Sequence, residues 1–369
     1  MSVFMQSGRR AGTAFVGLIL LLALYMPLSH YGLPSGSAFS MSLFSINEVG
    51  QIMSFALLAL ALDLVWGYAG MLSLGHGIFF GIGGYMMGMY LLNASYAKTH
   101  VLPDFMQYMG WSAFPRWWHV LSSFGGTMAL CMAFSVAVAG VFGFVTFRSR
   151  INGVYFSIIT QALTYALMLL LFINDVGLGG NNGLTGFTEI AGFDLGRPAT
   201  QIGLAVVSCI VLLAAYLLLR FVVSSSLGQA LVAIRDDEPR MRFLGYRTHV
   251  LKLFAWGLSA ALAALAGMLY VPQIGIVNPT IVSPTLSIEI AVWVAIGGRG
   301  TLIGAVVGAV LVNVLKFWLS AAAPSVWPFI LAGVTLVITI SMVRGLWGET
   351  RGIFNYVSRL GRGSGVEAV

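Results

Sequence analysis

Three ionisable side chains stand inside or at the ends of long apolar stretches, and these could do chemistry. They are Asp63, His76 and Glu289. A charge at the centre of a bilayer costs at least about 2.5 kcal/mol, so such residues usually face a cavity or a partner helix. Both carboxylates could accept hydrogen bonds from a polar solute. They could instead be structural: Asp63 could bond to Ser73 or His76. Glu289 could cap the start of a helix.

No set of residues for bond chemistry accompanies these side chains. None of the three lysines follows a glycine in a G-x-x-x-x-G-K phosphate-binding run, and there is no H-E-x-x-H motif or nucleophile elbow. Cys131 and Cys209 each lie alone in an apolar run, without CxxC spacing or a nearby histidine. We therefore expect a protein that is not an enzyme and that binds neither a cofactor nor a metal by itself.

The elements that must position these side chains are membrane spans. Of the 369 residues, 59% are hydrophobic and only 8% are charged, against roughly 25% charged residues in soluble domains. So few charges cannot cover the surface of a soluble protein of this length, and most of the surface must therefore face lipid. We predict an all-α polytopic transmembrane bundle, forming a single domain over residues 1–369.

Apolar stretches of about 20 residues predict ten spans. The first follows Arg9 and Arg10 but has no evident cleavage site, so we interpret it as a retained helix rather than a signal peptide. Two spans are separated by a tight turn at Gly297–Gly300. The predicted spans are 11–28, 49–66, 74–92, 125–147, 153–173, 201–222, 251–272, 286–297, 302–318 and 326–343.

The basic residues predict the orientation. With the N-terminus inside, 15 of the 19 basic residues fall in cytosolic segments, and Lys98, Arg116 and Arg197 fall in outer loops. Lys316 lies near an outer helix end, where its side chain could snorkel. This distribution explains the net charge of +7 and places both termini, including a tail at 344–369, in the cytosol.

The segment 223–250 is the one long polar stretch among the predicted inner loops. Ser225 could cap a helix that begins near Leu227, Pro239 could break or restart it, and Gly245 fits a helix end. A short helix carrying charges of both signs along the membrane face is typical of a docking element. A solvated loop that only enforces topology remains the alternative.

Two blocks of this sequence resemble the LivM-type permeases of the branched-chain amino acid transporter family. The run 228–236, GQALVAIRD, followed by Gly245-Tyr246 and by 252–255, KLFA, is similar to the family's coupling loop. The run 60–77, LALDLVWGYAGMLSLGHG, is similar to its junction between the second and third spans. The resemblance extends over about residues 46–345. It implies a permease subunit of a binding-protein-dependent ABC importer, which works by alternating access.

Further stretches are closer to the urea-transporting branch of that family. They are 177–185, 270–279 and 287–301. Asp63 stands where many amino-acid permeases of the family would carry Asn. The resemblance therefore implies urea as the solute, with a branched-chain or other amino acid as the alternative.

The resemblance also implies partners in a bacterial inner (cytoplasmic) membrane: a second, related permease subunit, two ATP-binding subunits that hydrolyse ATP, and a periplasmic solute-binding protein. The outer loops 93–124 and 174–200 are long enough to meet the binding protein, with Asn181 and Asn182 as candidate contacts. The residues expected to couple to the ATPases are Ala230, Ile234, Arg235, Asp236, Asp237, Glu238, Arg240 and Gly245.

Glycine-rich stretches near Asp63 and Glu289 favour broken helices that line a solute path. They also fit plain helix packing through G-x-x-x-G pairs. A path for urea would offer acceptors in a narrow, partly aromatic slot. The candidate path residues are Asp63, Tyr68, Ser73, His76, Phe79, Phe80, Tyr85, Glu289 and Trp293.

Other functions remain open. An amino-acid permease should present both a cation and an anion to a zwitterion, and the path offers few cations because Arg299 lies at the cytosolic turn. A secondary transporter would use the carboxylates for proton coupling and would survive ATP depletion. A scaffold would leave the broken spans unexplained, and a membrane enzyme lacks a catalytic set.

Overall fold

The protein, described here by a computed structural model, is built almost entirely of helices. The structure describes residues 2–341 and 345–346, except 35, 36, 38, 109, 112 and 152. Within that part, eight helices are long and apolar enough to cross a membrane. The predicted all-α membrane bundle is therefore confirmed, whereas nearly all of the predicted tail 344–369 lies outside the described residues.

In chain order the helices are α1 (Ser2–Tyr31), α2 (Leu43–Asp63), α3 (His76–Thr99), α4 (Asp104–Tyr108), α5 (Phe124–Arg148), α6 (Val154–Phe172), α7 (Pro198–Ser224), α8 (Ser226–Asp236), α9 (Glu238–Phe243), α10 (Thr248–Ile274), α11 (Pro284–Gly297), α12 (Leu302–Ala322) and α13 (Trp327–Ser341). A π-helical turn, Leu64–Tyr68, continues α2. Helix α11 has 14 residues and rises only about 21 Å, less than a bilayer core. The crossing of all ten predicted segments stays a prediction.

Helices α2, α3 and α10 form the buried centre of the bundle, while α1, α5 and α6 present mostly exposed apolar surface. Glycines bring the central helices into backbone contact. A side chain at Gly83 would meet the backbone of Ala264, and one at Gly267 would meet the backbone of Phe80 and Gly84. Such close contact lets dispersion forces hold helices together where lipid supplies no hydrophobic drive.

Helices α11 and α12 are also brought into backbone contact by glycines. A side chain at Gly297 would meet the backbone of Gly304 and Gly308. The turn between these helices contains Gly298 at φ 119° and Gly300 at φ 75°, conformations that residues with a Cβ rarely adopt. The predicted break at Gly297–Gly300 is therefore present, and glycine serves both packing and turning there.

Short strands join two loops at one end of the bundle. Strand β1 (Leu184–Thr185) pairs antiparallel with β4 (Ile276–Val277), while β2 (Glu189–Ile190) and β3 (Phe193–Asp194) form a hairpin. The loop after α6 is thereby tied to the segment between α10 and α11. We call this the outer end, after the orientation predicted from the basic residues.

The opposite, inner end carries α8 and α9. The hydroxyl of Ser225 donates to Val222 O at 2.6 Å and does not cap α8, although the helix begins at the next residue. Asp237 caps α9 by accepting from Arg240 N at 3.0 Å, with Pro239 in its first turn. Gly245 follows that helix at φ 87°. The segment 223–250 is thus two short helices, as its sequence indicated.

Candidate functional site

A cavity of about 330 Å³ lies at the outer end, between the end of α10 and the start of α11. We call it the outer pocket. Its volume suits a small organic molecule, since ligand pockets generally begin near 300 Å³. It is lined by Phe55, Phe80, Tyr270, Ile274, Ile276, Val277, Asn278, Thr280, Ile281, Ser283, Thr285, Leu286, Glu289 and Lys316.

Aromatic rings form one wall of the outer pocket. The ring centroid of Phe55 lies 4.9 Å from that of Tyr270 and 5.9 Å from that of Phe80. Trp293, fully buried, packs on Phe55 at 5.3 Å without lining the pocket itself. Such rings offer a flat apolar surface and hold their positions through mutual packing.

An ion pair forms a polar part of the lining. Lys316 Nζ lies 2.9 Å from Glu289 Oε2, and their side chains are 33% and 30% exposed. The start of α11 is capped by Ser283, whose hydroxyl accepts from Leu286 N at 3.2 Å, so Glu289 is not the cap considered from the sequence. Lys316 lines the pocket and does not snorkel away from it. Lys316 is thus a cation in the outer pocket, where sequence analysis expects the path to offer few.

Asp63 lies at the inner end of α2, far from the outer pocket. Eight residues separate it from Phe55, which corresponds to about 12 Å along a helix. Its side chain is fully buried, and Oδ1 accepts a hydrogen bond from Gly300 N at 2.7 Å. The bond to Ser73 or His76 considered from the sequence is replaced by this contact with the α11–α12 turn. No described residue bonds to Oδ2.

The last turn of α8 lies beside Asp63 and the α11–α12 turn. Arg235 Nη1 donates to Gly67 O, in the π-helical turn, at 2.7 Å. Its Nε and Nη2 each lie 3.0 Å from Asp236 Oδ1, which orients the guanidinium. We call Arg235, Gly67, Asp63 and Gly300 the inner junction. It brings together three segments that are far apart in the sequence.

His76 begins α3 and is buried in a packed cluster. Its Nε2 lies 2.7 Å from Ser259 Oγ, whose own proton goes to Ala61 O at 2.5 Å. His76 Nε2 is therefore the donor of that pair. Phe79 and the buried Trp256 pack against the imidazole at 6.3 and 5.5 Å. The structure holds His76 and Phe79 in this cluster and not in the outer pocket.

The extended segment between the π-helical turn and α3 is braced by hydroxyls of α6. Ser157 donates to Leu72 O at 2.7 Å, and Thr160 accepts from Leu74 N at 3.1 Å. Ser73 uses its hydroxyl locally, accepting from Gly75 N at 3.1 Å. Irregular backbone at membrane depth needs such partners, because lipid offers none.

Two tyrosines predicted to line the path lie elsewhere. Tyr68, half-buried, ends the π-helical turn. Tyr85 is buried on α3, and its hydroxyl has no partner among the described residues. Of the predicted path residues, the structure places Phe80 and Glu289 in the outer pocket, with Trp293 behind it.

The predicted coupling residues divide by exposure. Leu231 and Ile234 are buried on the inward face of α8, and Ala230 is half-buried. Asp236, Asp237, Arg240 and Gly245 are exposed. Arg235 is also exposed, although its guanidinium reaches Gly67 O.

Glu238 holds α9 to α10. It lies 2.5 Å from Lys252 Nζ and 2.8 Å from Arg242 Nη2, and Thr248 Oγ1 donates to it at 3.1 Å. Burial alone would raise the pKa of Glu238, but these hydrogen bonds and charges outweigh it and lower that pKa below its ordinary value of 4.5.

The predicted contacts for a binding protein, Asn181 and Asn182, are exposed. Two residues further on, Leu184 pairs with Val277, which lines the outer pocket. This exposed loop and the pocket rim are therefore one hydrogen-bonded unit.

Sequence reasoning missed several residues of both places. Phe55 and Tyr270 were hidden because aromatic residues within apolar spans look alike whichever way they face. Gly67 and Gly300 act through backbone atoms, which leave no side-chain signal. Among the described residues no group of three metal-ligating side chains comes together.

Comparison with known proteins identifies relatives of this chain. The family described as branched-chain amino acid transport system / permease component matches residues 45–340. The high-affinity branched-chain amino acid transport system permease protein LivM of Escherichia coli (strain K12) is 26% identical over 300 residues, covering 75% of this chain and 64% of LivM. The match thus spans slightly less than two thirds of that relative's length.

Permeases named for other solutes are also similar. The ribose import permease protein RbsC of Escherichia coli (strain K12) is 25% identical over 226 residues, covering 58% of this chain and 67% of RbsC. The autoinducer 2 import system permease protein LsrC of Yersinia enterocolitica is 29% identical over 227 residues, covering 58% and 59% of the two chains. No solved structure matches this chain.

The family match covers most of the chain and coincides with the bundle that holds both the outer pocket and the inner junction. Its relatives are named as transport permeases, and the eight long apolar helices agree with a multi-pass protein of the inner membrane. This chain belongs to the family of permease components of branched-chain amino acid transport systems.

Proposed function

We propose that this chain is the membrane-spanning subunit of a binding-protein-dependent ABC importer and that its solute is urea. The observation that carries the proposal is the outer pocket, whose lining combines aromatic rings with an ion pair of zero net charge. The pocket lies in a chain of a permease family. The solute enters there and leaves at the inner end by alternating access.

The chemistry of the pocket fits a small neutral solute. Glu289 and Lys316 already satisfy each other's charge at 2.9 Å, so an uncharged molecule enters without separating them. Urea carries two NH₂ donors and one carbonyl acceptor, and the pocket offers the second carboxylate oxygen of Glu289 together with Asn278 and Thr285. Its flat shape suits the ring faces of Phe80 and Tyr270. The resemblance of 177–185, 270–279 and 287–301 to the urea branch supports the same solute.

An amino acid is the second candidate, and the same ion pair favours it. A zwitterion could insert between Glu289 and Lys316, exchanging one ion pair for two, with an apolar side chain on the aromatic wall. LivM, one of the matched relatives, is named for branched-chain amino acids. The two candidates differ in what they require of the pair: urea needs acceptors, whereas an amino acid needs both charges.

The partners follow from what the chain does not carry. It contains no phosphate-binding run, so we infer that two separate ATP-binding subunits drive transport by docking at α8 and α9. A second, related permease completes the membrane part, and a periplasmic solute-binding protein docks at the loop of Asn181 and Asn182.

Uptake by cells lacking this chain, complemented with variants, tests the proposal. With micromolar radiolabelled urea and leucine, we expect restored, ATP-dependent uptake of urea. The neutral pair Glu289→Gln with Lys316→Met should retain urea uptake within a few-fold, because carbonyl acceptors remain. Phe80→Ala should reduce it. The matched control is Arg148→Met, which removes an exposed cation at the end of α5, outside the pocket and outside both outer loops.

Other outcomes identify the other candidates. Loss of leucine uptake in the deletion strain, with no rescue by the neutral pair, would assign an amino acid. Urea uptake that persists without this chain would refute the urea proposal. Uptake that survives ATP depletion would indicate a secondary transporter.

A further inference from the structure

The inner junction joins three segments at one point. Arg235 ends α8, Gly67 lies in the π-helical turn of α2, and Gly300 lies between α11 and α12. Asp63 closes the group through its 2.7 Å bond to Gly300 N. π-Helical turns often mark functional sites, because they displace one carbonyl from the helical ladder. Here such a turn presents Gly67 O to the guanidinium.

The residues of the inner junction are tightly packed. A side chain at Gly67 would meet Asp63 Oδ1 and the backbone of Gly300, and one at Gly70 would meet the aliphatic part of Arg235. The segments therefore touch through backbone atoms and a clamped guanidinium. Packed groups of this kind shift together when one of them moves.

Two of the joined segments lead directly to the outer pocket. Phe55 precedes Gly67 by twelve residues of α2, about 18 Å of helix. Glu289 precedes the end of α11 at Gly297 by eight residues, about 12 Å. Both side chains line the pocket. Each of these two helices therefore connects the inner junction to one wall of the pocket.

We propose that the inner junction carries movements of α8 to the pocket walls on α2 and α11, with Arg235 and Asp63 as positioning residues. Arg235 attaches α8 to α2 through Gly67 O, and Asp63 attaches α2 to the α11–α12 turn through Gly300 N. The proposal rests on the proposed function in one respect: a partner bound at the inner end moves α8. It does not depend on which solute occupies the pocket.

A distance measurement in the assembled transporter tests this, because it needs no solute. Cysteines for spin labels replace Phe44 at the outer start of α2 and Ile288 on α11, which are 72% and 44% exposed. The native Cys131 and Cys209 are buried. The distance between the labels is measured by pulsed electron resonance in the complex with its partner subunits, without nucleotide and trapped with ATP and vanadate.

We expect the label distance to change on trapping in the otherwise unaltered chain, and the change to be lost in Arg235→Ala and in Asp63→Ala. Asp63→Asn should retain it, because the amide oxygen can still accept from Gly300 N. Arg148→Ala, which removes an exposed arginine at the end of α5, outside the segment 223–250, is the matched control and should behave like the parent. Transport per ATP hydrolysed should fall roughly 2- to 30-fold in the Ala variants, the range for loss of one coupling contact.

Three results would overturn the junction. They are an unchanged label distance on trapping in the parent, an unaltered shift in both Ala variants, and a loss of shift in Asp63→Asn equal to that in Asp63→Ala. If Arg235→Ala prevents assembly, Asp63→Ala decides, because that buried residue leaves the surface of α8 intact. A failure of urea uptake with a normal shift would refute the solute and leave the junction standing.

Discussion

The outer pocket and the inner junction lie at opposite ends of α2 and are built from different groups. The pocket uses side chains that are partly open, such as Glu289 and Lys316. The junction joins two side chains, the guanidinium of Arg235 and the fully buried carboxylate of Asp63, to backbone atoms of Gly67 and Gly300. Side chains can change in evolution to suit another solute without moving a helix, whereas backbone contacts cannot change without moving one. This difference agrees with the proposed roles, selection of the solute at the outer end and transmission of movement at the inner end.

The largest effect is expected from adding a side chain at the inner junction, which tests whether the two ends have different roles. Gly67→Ala puts a methyl group against Asp63 and the backbone of Gly300. Overpacking of this kind costs about 1–3 kcal/mol of folding free energy, so the unfolding temperature should fall and the uptake of every solute should fall with it. Gly257→Ala, where the new methyl would make only an ordinary contact with Val136, is the control. Selective loss of one solute would contradict the division of roles.

The ionic contacts of Glu238 at the inner end should make the stability of the protein depend on pH. Because the pKa of Glu238 is lowered in the folded protein, its stabilising contribution is present above its ordinary value of 4.5 and is lost as the pH falls through the lowered pKa. Glu238→Gln should therefore lower the unfolding temperature of the purified protein at pH 7.

The difference between Glu238→Gln and the parent should shrink as the pH approaches and passes below 4.5. Asp175→Asn, at an exposed carboxylate, should leave the unfolding temperature unchanged throughout. A difference that grows in acid would contradict the inferred attachment of α9 to α10.

The smallest expected effect is that of the ion pair in the outer pocket, Glu289 with Lys316, on the free energy of unfolding. Glu289 and Lys316 are each about one-third exposed, and pairs in such settings contribute about 0–1 kcal/mol. A double-mutant cycle with Glu289→Ala and Lys316→Ala, read by thermal unfolding, should give a coupling free energy in that range. A much larger coupling free energy would indicate a structural pair, like the one at Glu238. The ion pairs at the two ends would then not differ in their contribution to stability.

Most of the fold followed from the sequence, because lipid imposes a local rule. A span must be apolar along about 20 residues whatever it packs against, so the long helices lie close to where they were predicted. The short helices α8 and α9 were also foreseen, since Pro239 and Gly245 act on their own backbone. The urea assignment and the roles of Asn181 and Asn182 stay predictions.

The candidate site was only partly foreseen. Asp63 and Glu289 stood out because charges are rare in spans, but their partners did not. Lys316 was taken for a residue at a helix end, because its distance from Glu289 depends on how α11 and α12 pack. Tyr270 and Phe55 carry no sign of which face they present.

The sequence by itself determined that the chain crosses a membrane, where most of its helices run and which family it resembles. Each of these depends on composition or on neighbouring residues. Only the tertiary structure decided which residues are in contact. Asp63 and Gly300 form a hydrogen bond although they are 237 positions apart, as do Arg235 and Gly67, which are 168 apart. Such contacts are set by glycine packing across helices, where several pairings satisfy the same apolar pattern. The folded bundle selects one of them.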